Sequence, residues 1–474
     1  MVQAKNIQHR LASLLAYLVV MAELVGCTVG PEYKRPELVI PPAWHDQVTS
    51  AQTVEWPAAE WWHGFGSSQL DSYIAQAKLA NNDLAAAVAR IRETEQQANI
   101  AGAALQPAVN ASFDASRGRA PNATGGFSDF KQYSPQLTAS YMLDFWGKNR
   151  AVQDAAIAAA QGSRHDQVTV ELTVLTSVAQ SYFQSLALRE RVAVAEHNLA
   201  SAQMLLTGLQ KQLHAGVANA LDVAQQETVV ATLDAAVPPL RIQLRQTLDT
   251  LAILLGKNPQ ELDIATESLS DLRIPQVSPG LPSELLTRRP DIAEAEDKLI
   301  AAKANIRAAR AAFFPTIELT ASTGFLSSTL AGMTSSGNII RSVAGGITQP
   351  IFEGDALNAQ YEYSKAVYDE LLANYRKAIL SALGNVEDSL IAVQQNTEQV
   401  GRLEVALQKA ERAHHIAKAQ LQAGTVNILN VLNTETALFT AQDALIQAKS
   451  ANLNAYVSLF GALGGGWQKE AEKQ

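Results

Sequence analysis

Few residues of this chain could do chemistry on a bound molecule, and their spacing argues against it. Cys27 is the only cysteine, so one thiol stands alone and no intramolecular disulfide can form. His414 and His415 are adjacent; on a helix they project about 100° apart and cannot share one metal ion. The carboxylates are spread along helical stretches among Lys and Arg, the pattern of solvated faces. No Walker motif, HExxH, GxSxG or dinucleotide fingerprint occurs. These residues recommend neither an enzyme, nor a metal site, nor an organic cofactor. A net charge of −9 without any basic block argues against nucleic acid as a partner. Trp56, Trp61, Trp62 and Phe65 fall within ten positions, a cluster that reads as a packing anchor.

The elements that carry these residues begin with a leader. Lys5 and Arg10 precede the short apolar run from Leu11 to Ala22. That run is below the roughly 18 residues that a membrane-spanning helix needs, so residues 1–26 read as a signal peptide. The leader ends in Leu24-Val25-Gly26-Cys27, which resembles the lipobox of bacterial lipoproteins. Small residues there let a peptidase approach the backbone, and the Cys27 thiol then becomes a thioether to diacylglycerol, with an N-acyl chain added. Thr28 replaces the Asp that signals inner-membrane retention, which directs the expectation to the outer membrane. Residues 27–69 follow, opening with the Pro-rich TVGPEYKRPELVIPPAW, as an extended surface segment.

The body of the chain is written twice. Asn82 to Pro107 recurs as Pro290 to Pro315, and the same offset of 208 carries Gly216 onto Gly424, Asp222 onto Asn430, Glu227 onto Glu435 and Gly256 onto Gly464. Two tandem structural repeats are therefore expected, 70–256 and 290–464, joined by a Pro-rich linker at 257–289 and followed by a tail at 465–474. In the first, a helix from about Leu70 to Ala104 leads to a hairpin over 108–144, where Val109, Ala111 and Phe113 alternate with Asn110, Ser112 and Asp114. A Pro-free helix from Gly147 to about Leu213 would be about 100 Å long. Its Val168, Leu172, Leu175, Ala179, Tyr182 and Leu186 have coiled-coil spacing. Gly216 turns the chain into a return helix, about Leu221 to Leu255, with a kink expected at Pro238-Pro239. The second repeat follows the same plan: a helix from about Pro290 to Ala312, a hairpin over 316–352 with its return strand at about Ile339 to Phe352, a long helix from about Asp355 to Leu421, a turn at Gly424 and a last helix.

Four strands with one apolar and one polar face have the pattern of strands tilted across an outer membrane. Four cannot close a barrel, and an open edge in lipid leaves backbone groups unpaired at several kcal/mol each. Three chains would supply a closed twelve-stranded ring, with helical columns forming a hollow wall. Hairpins that merely cap a soluble helical bundle are the alternative.

The lipobox with GPEYKRP, the WWHGFGSSQLDSYIAQAKLANNDLAAAVAR block, LPSELLTRRPDIAEAEDKLIAAKANI, AAFFPTIEL and the two Gly turns together resemble the TolC-like outer-membrane efflux proteins, in their lipoprotein NodT-type branch. The resemblance covers essentially the whole mature chain. It implies a mainly α fold with a membrane β-barrel portion, a homotrimer with a twelve-stranded β-barrel and an α-helical barrel. It also implies a passive exit duct for small toxic compounds, docked through a periplasmic adaptor to an inner-membrane pump of the resistance-nodulation-division or a similar type. In that family the turns near Gly216 and Gly424 form the periplasmic tip where the adaptor docks. Relatives carry Asp residues after the second turn that ring the aperture. Asn430 and Asn433 stand there in this chain, with Asp222 at the equivalent place in the first half and Glu435 close by. The exit duct of a type I protein secretion system and a coiled-coil lipoprotein tether remain alternatives.

Overall fold

The computed structural model describes residues 33–37, 40–45, 56–121, 125–262, 267–277 and 280–468. The signal peptide and Cys27 lie outside them. The helices are α1 (Ser68–Ala80), α2 (Asn82–Ala103), α3 (Lys148–His214), α4 (Ala220–Leu254), α5 (Leu285–Arg288), α6 (Pro290–Ala311), α7 (Ala356–Gln422) and α8 (Ile428–Ala462). The strands are β1 (Ala108–Pro121), β2 (Phe127–Leu143), β3 (Thr316–Phe325) and β4 (Ile339–Thr348).

The internal repeat is exact in three pairs of helices: α2 and α6 have 22 residues each, α3 and α7 have 67, and α4 and α8 have 35. Left-handed backbone recurs at the same offset. Gly216 and Gly424 have φ of 73° and 71°, Gly256 and Gly464 have 67° and 86°, and Gly147 at 72° matches Asp355 at 68°. Aspartate is among the few side chains that tolerate this region, so the turn survives the change of residue.

The chain divides into two compact units. Among the described residues, one comprises 33–37, Arg90–Arg164 and Glu294–Arg376. It holds an antiparallel sheet in the order β1-β2-β3-β4, with β1 and β4 as free edges among the described residues. The Trp146 indole N–H donates to the Pro315 carbonyl at 2.8 Å and the ring stacks on Phe314, which fixes the end of β2 to the start of β3. Asp144 accepts from the backbone N–H groups of Asn149 and Arg150 at 2.9 and 2.8 Å and so satisfies the orphan donors at the start of α3. Arg307–Asp154 and Arg164–Glu95 ion pairs join helices within this unit. The return strand ends at Thr348, short of the expected Phe352. Pro350 has no N–H to give a ladder, and the Gln349 amide donates instead to Phe313 and Pro350 carbonyls.

The other unit comprises Leu38–Ala89, His165–Ala293 and Lys377–Gln474. Its core gathers Trp61, Trp62 and Phe65 with Tyr182, Phe183, Leu186, Leu251, Leu255 and Phe460. Trp61 stacks on Phe460 with ring centroids 5.2 Å apart, so the tryptophan cluster is an anchor. Along α3 the buried face around Val174 to Leu188 is broader than a two-position seam, because it faces this core.

Two further expectations change. The helix expected from Leu70 to Ala104 is two helices, broken at Asn81, whose extended backbone ends α1. The Asn81 side chain accepts from the N–H groups of Asp83 and Leu84 and donates to the Leu254 carbonyl at 2.9 Å. One side chain thus caps the start of α2 and the end of α4. The repeat itself marked this break, since Asn82 pairs with Pro290, a residue suited to a first helical turn. The return helix α4 also runs unbroken through Pro238-Pro239. Both prolines are exposed, so the carbonyls they leave without a helical donor can be solvated.

Candidate functional site

Two features outside the core are built for contact, one in each unit. The first is the sheet. Register places Val109, Ala111, Phe113 and Ala115 of β1 beside Ala139, Leu137, Pro135 and Tyr133 of β2, on one face. The same face continues through Ile317, Leu319 and Ala321 of β3 to Ile347, Gly345 and Val343 of β4. The opposite face carries Asn110, Ser112, Asp114, Thr138, Ser140, Thr320 and Ser342. Period-two alternation produces these faces directly. On the apolar one, Val343 is 88% exposed and Ile347 72% exposed in the single chain.

The second feature is a pair of helix tips. Both long helices end in the same Schellman geometry. Gly216 donates to Leu213 O and Val217 to Gln212 O; Gly424 donates to Leu421 O and Thr425 to Gln420 O. Asn219 then opens α4 in a reciprocal capping box with Asp222: the Asn219 side chain accepts from Asp222 N at 2.9 Å, and Asn219 N donates to the Asp222 carboxylate at 3.4 Å. At the second tip Asn427 precedes α8, and the Asn430 amide donates to Asn427 Oδ1 at 3.2 Å. Leu209, Val223, Ala417, Ile428, Val431 and Leu432 form a small apolar core beneath the tips.

Among the four aperture candidates, Asn430 and Asn433 are exposed and Asp222 is half-buried as a cap. Glu435 does not belong with them. It is 4% exposed, because it continues the stripe Ile428, Val431, Leu432 on the inner face of α8. One of its carboxylate oxygens has no hydrogen-bond partner, and burial pushes its pKa up, with Lys418 opposing. His414 is shifted down by burial and then by Lys418 and His415. No group of three or more metal-ligating side chains occurs among the described residues.

Two polar constellations were not legible as sites. Arg289 donates to the Ala462 carbonyl at 2.7 Å and forks onto Asp291 at 3.0 and 2.6 Å. This contact is the repeat image of Asn81 on Leu254, and it explains why Arg289, Pro290 and Asp291 stand together. Tyr33 donates to Glu296 Oε1 at 3.3 Å and Arg35 to Oε2 at 2.9 Å, which straps the N-terminal segment to buried Glu296 on α6. Burial and the Glu296 carboxylate push the Tyr33 phenol up. Only the proximity of Tyr33 and Arg35 in sequence hinted at this; their acceptor lies about 260 residues away.

The model of the outer membrane efflux protein family matches residues 73–257 and 281–465, one copy on each repeat. The chain is 41% identical over 425 residues to the pyoverdine export outer membrane protein OpmQ of Pseudomonas aeruginosa, covering 87% of this chain and 88% of that one. It is 30% identical over 460 residues to the cation efflux system protein CusC of Escherichia coli K12, covering 96% and 99%. Among solved structures, the open state of the Neisseria gonorrhoeae MtrE outer membrane channel aligns with a TM-score of 0.84 at 27% identity, covering 93% of this chain and 98% of that one.

Proposed function

The chain belongs to the outer membrane efflux protein family and is an outer-membrane efflux channel; on that premise we propose that three copies form a lipid-anchored duct completing a pump across the periplasm. The observation that carries this reading is the sheet. It has one apolar, exposed face and two unpaired edges. Each unpaired backbone group left in hydrocarbon costs several kcal/mol, so the edges must be closed by other copies. Three copies of four strands give an even-numbered antiparallel ring, within the range of outer-membrane barrels.

The polar sheet face then lines the lumen. The helices descend into the periplasm and the tips at Gly216 and Gly424 meet the adaptor. Asp222, Asn430 and Asn433 border the aperture there. Cys27 carries the diacylglycerol and N-acyl chains. Five residues separate it from Tyr33, so the strap on Glu296 keeps the anchor within about 20 Å of α6. The relatives named above are described as exporting pyoverdine and cations, which supports a duct that leaves cargo selection to an inner-membrane pump, here of the resistance-nodulation-division type.

Dye accumulation in energised cells with and without the gene tests the proposal. Deletion should raise accumulation, and wild-type protein should restore export. Unchanged accumulation, with no channel in planar bilayers, would overturn it. Restoration by Cys27→Ser would leave the duct standing and remove the anchor from its requirements.

A further inference from the structure

Cations on the sheet are not distributed at random. Arg117, Arg119, Lys131 and Arg341 all lie on the apolar face by register, with Asp129 opposite Arg119 as the one strand carboxylate among them, whereas Asp114 and Glu318 lie on the polar face. Along β2 the apolar-face rows run Leu143, Tyr141, Ala139, Leu137, Pro135 and Tyr133 before reaching Lys131. Ten steps of about 3.3 Å at a tilt near 40° climb about 25 Å, the height of the apolar band of an outer-membrane barrel. The row above that band is Arg117 opposite Lys131.

Directly opposed side chains in an antiparallel pair have Cβ atoms about 5 Å apart, and like charges there repel. Among the described residues no carboxylate pairs with either cation. Asp129, one row further on, is 3.9 Å from Arg119, and Arg119 lies over the Phe127 ring. The cluster therefore keeps two uncompensated positive charges, exposed, in a chain whose net charge is −9. The strand ends at Ala108 and Leu143 lead to the helices. The opposite end, where the cations sit, is thus the outer-leaflet end.

We infer that Arg117 and Lys131, with Arg119 beside them, bind the phosphate groups of a phosphorylated glycolipid in the outer leaflet. An anion bridging Arg117 and Lys131 converts their repulsion into charge-assisted hydrogen bonds while the acyl chains cover Phe113, Ala115 and Tyr133 below. Charge complementarity and continuity with the apolar band select this occupant. Arg341 shares the face but sits at the height of Leu137, six positions lower along the strands, and is not part of the cluster.

The inference rests on the reading of the sheet as membrane-spanning. Its test is native mass spectrometry of the full chain from nanodiscs containing bisphosphorylated lipid A, the same glycolipid dephosphorylated, or phosphatidylglycerol. Wild type should retain the bisphosphorylated lipid preferentially. Arg117→Gln/Lys131→Gln should lose that retention by about 10-fold or more, the loss of at least one charge-assisted contact. Arg341→Gln should behave as wild type. Equal retention of phosphorylated and dephosphorylated glycolipid by wild type, or undiminished retention by the double variant, would overturn the site. Planar-bilayer conductance separates the two readings. A protein that conducts without phosphate preference loses only the lipid site, and one that neither inserts nor conducts loses the membrane reading with it.

Discussion

Glu435 shows how one side chain can be misplaced by its neighbours in sequence. Beside Asn430 and Asn433 it looks like a polar group at a tip, but seven residues after Ile428 it falls on the inner helical face. The stripe was legible; the polarity of the residue outweighed it. Burial raises its pKa above the unfolded value, so the folded tip holds the proton more tightly than the unfolded chain. Its contribution to stability is present at low pH and lost as pH rises through the raised value. His414 has the opposite sign: its lowered pKa leaves its contribution intact above the ordinary imidazole range and weakens it as pH falls through 6.5. Glu435→Gln removes the buried charge and should strengthen the tip at pH 7.5 by about 1 kcal/mol or more, the scale of an unsatisfied buried polar group. The gain should shrink towards pH 5. Hydrogen exchange of the amides around Val431 at both pH values checks this, and equal protection of variant and wild type at pH 7.5 would refute it.

At the scale of elements, the left-handed glycines do two different jobs. At Gly216 and Gly424 a Cβ would meet nothing, so only backbone strain opposes a side chain. At Gly256 and Gly464 a Cβ would overlap the carbonyl oxygens of Ala80 and Arg288. There the return helices α4 and α8 end against the chain entering α2 and α6. Gly216→Ala and Gly424→Ala should each cost about 1–2 kcal/mol. Gly256→Ala and Gly464→Ala should cost clearly more, because the backbone must also move. Thermal denaturation of the four variants should rank them so; equal losses would show that the crowding at Gly256 and Gly464 adds no cost. The offset of 208 pairs these glycines in the sequence, yet it does not distinguish open turns from crowded ones. Crowding depends on atoms about 175 positions away. The break at Asn81 is a similar case: helical periodicity runs across it, and what fixes it is the distant Leu254 carbonyl.

For the whole molecule, the free edges β1 and β4 are the decisive fact. In a four-stranded sheet they stand about 14 Å apart at the usual strand spacing, too far for a disulfide within one chain. In a Cys27→Ser background, one cysteine on β1 at Asn110 and a second scanned along β4 should therefore cross-link between chains at some register, giving covalent oligomers up to the trimer. A scan that gives monomer only would contradict edge-to-edge closure.

The sequence by itself determined the duplication, the helix and strand types, the two faces of the sheet and the glycine turns. The duplication follows from matched residues at a fixed offset, and the rest from local period and from backbone conformations that few residues tolerate, both written in consecutive residues. Only the tertiary structure decided that Asn81 and Arg289 close the return helices, that Glu296 straps Tyr33 and Arg35, and that Arg117 faces Lys131. Each of those is a meeting between residues that are not neighbours in sequence. The free energy of a polar or charged group depends on what the fold brings within a few ångströms of it.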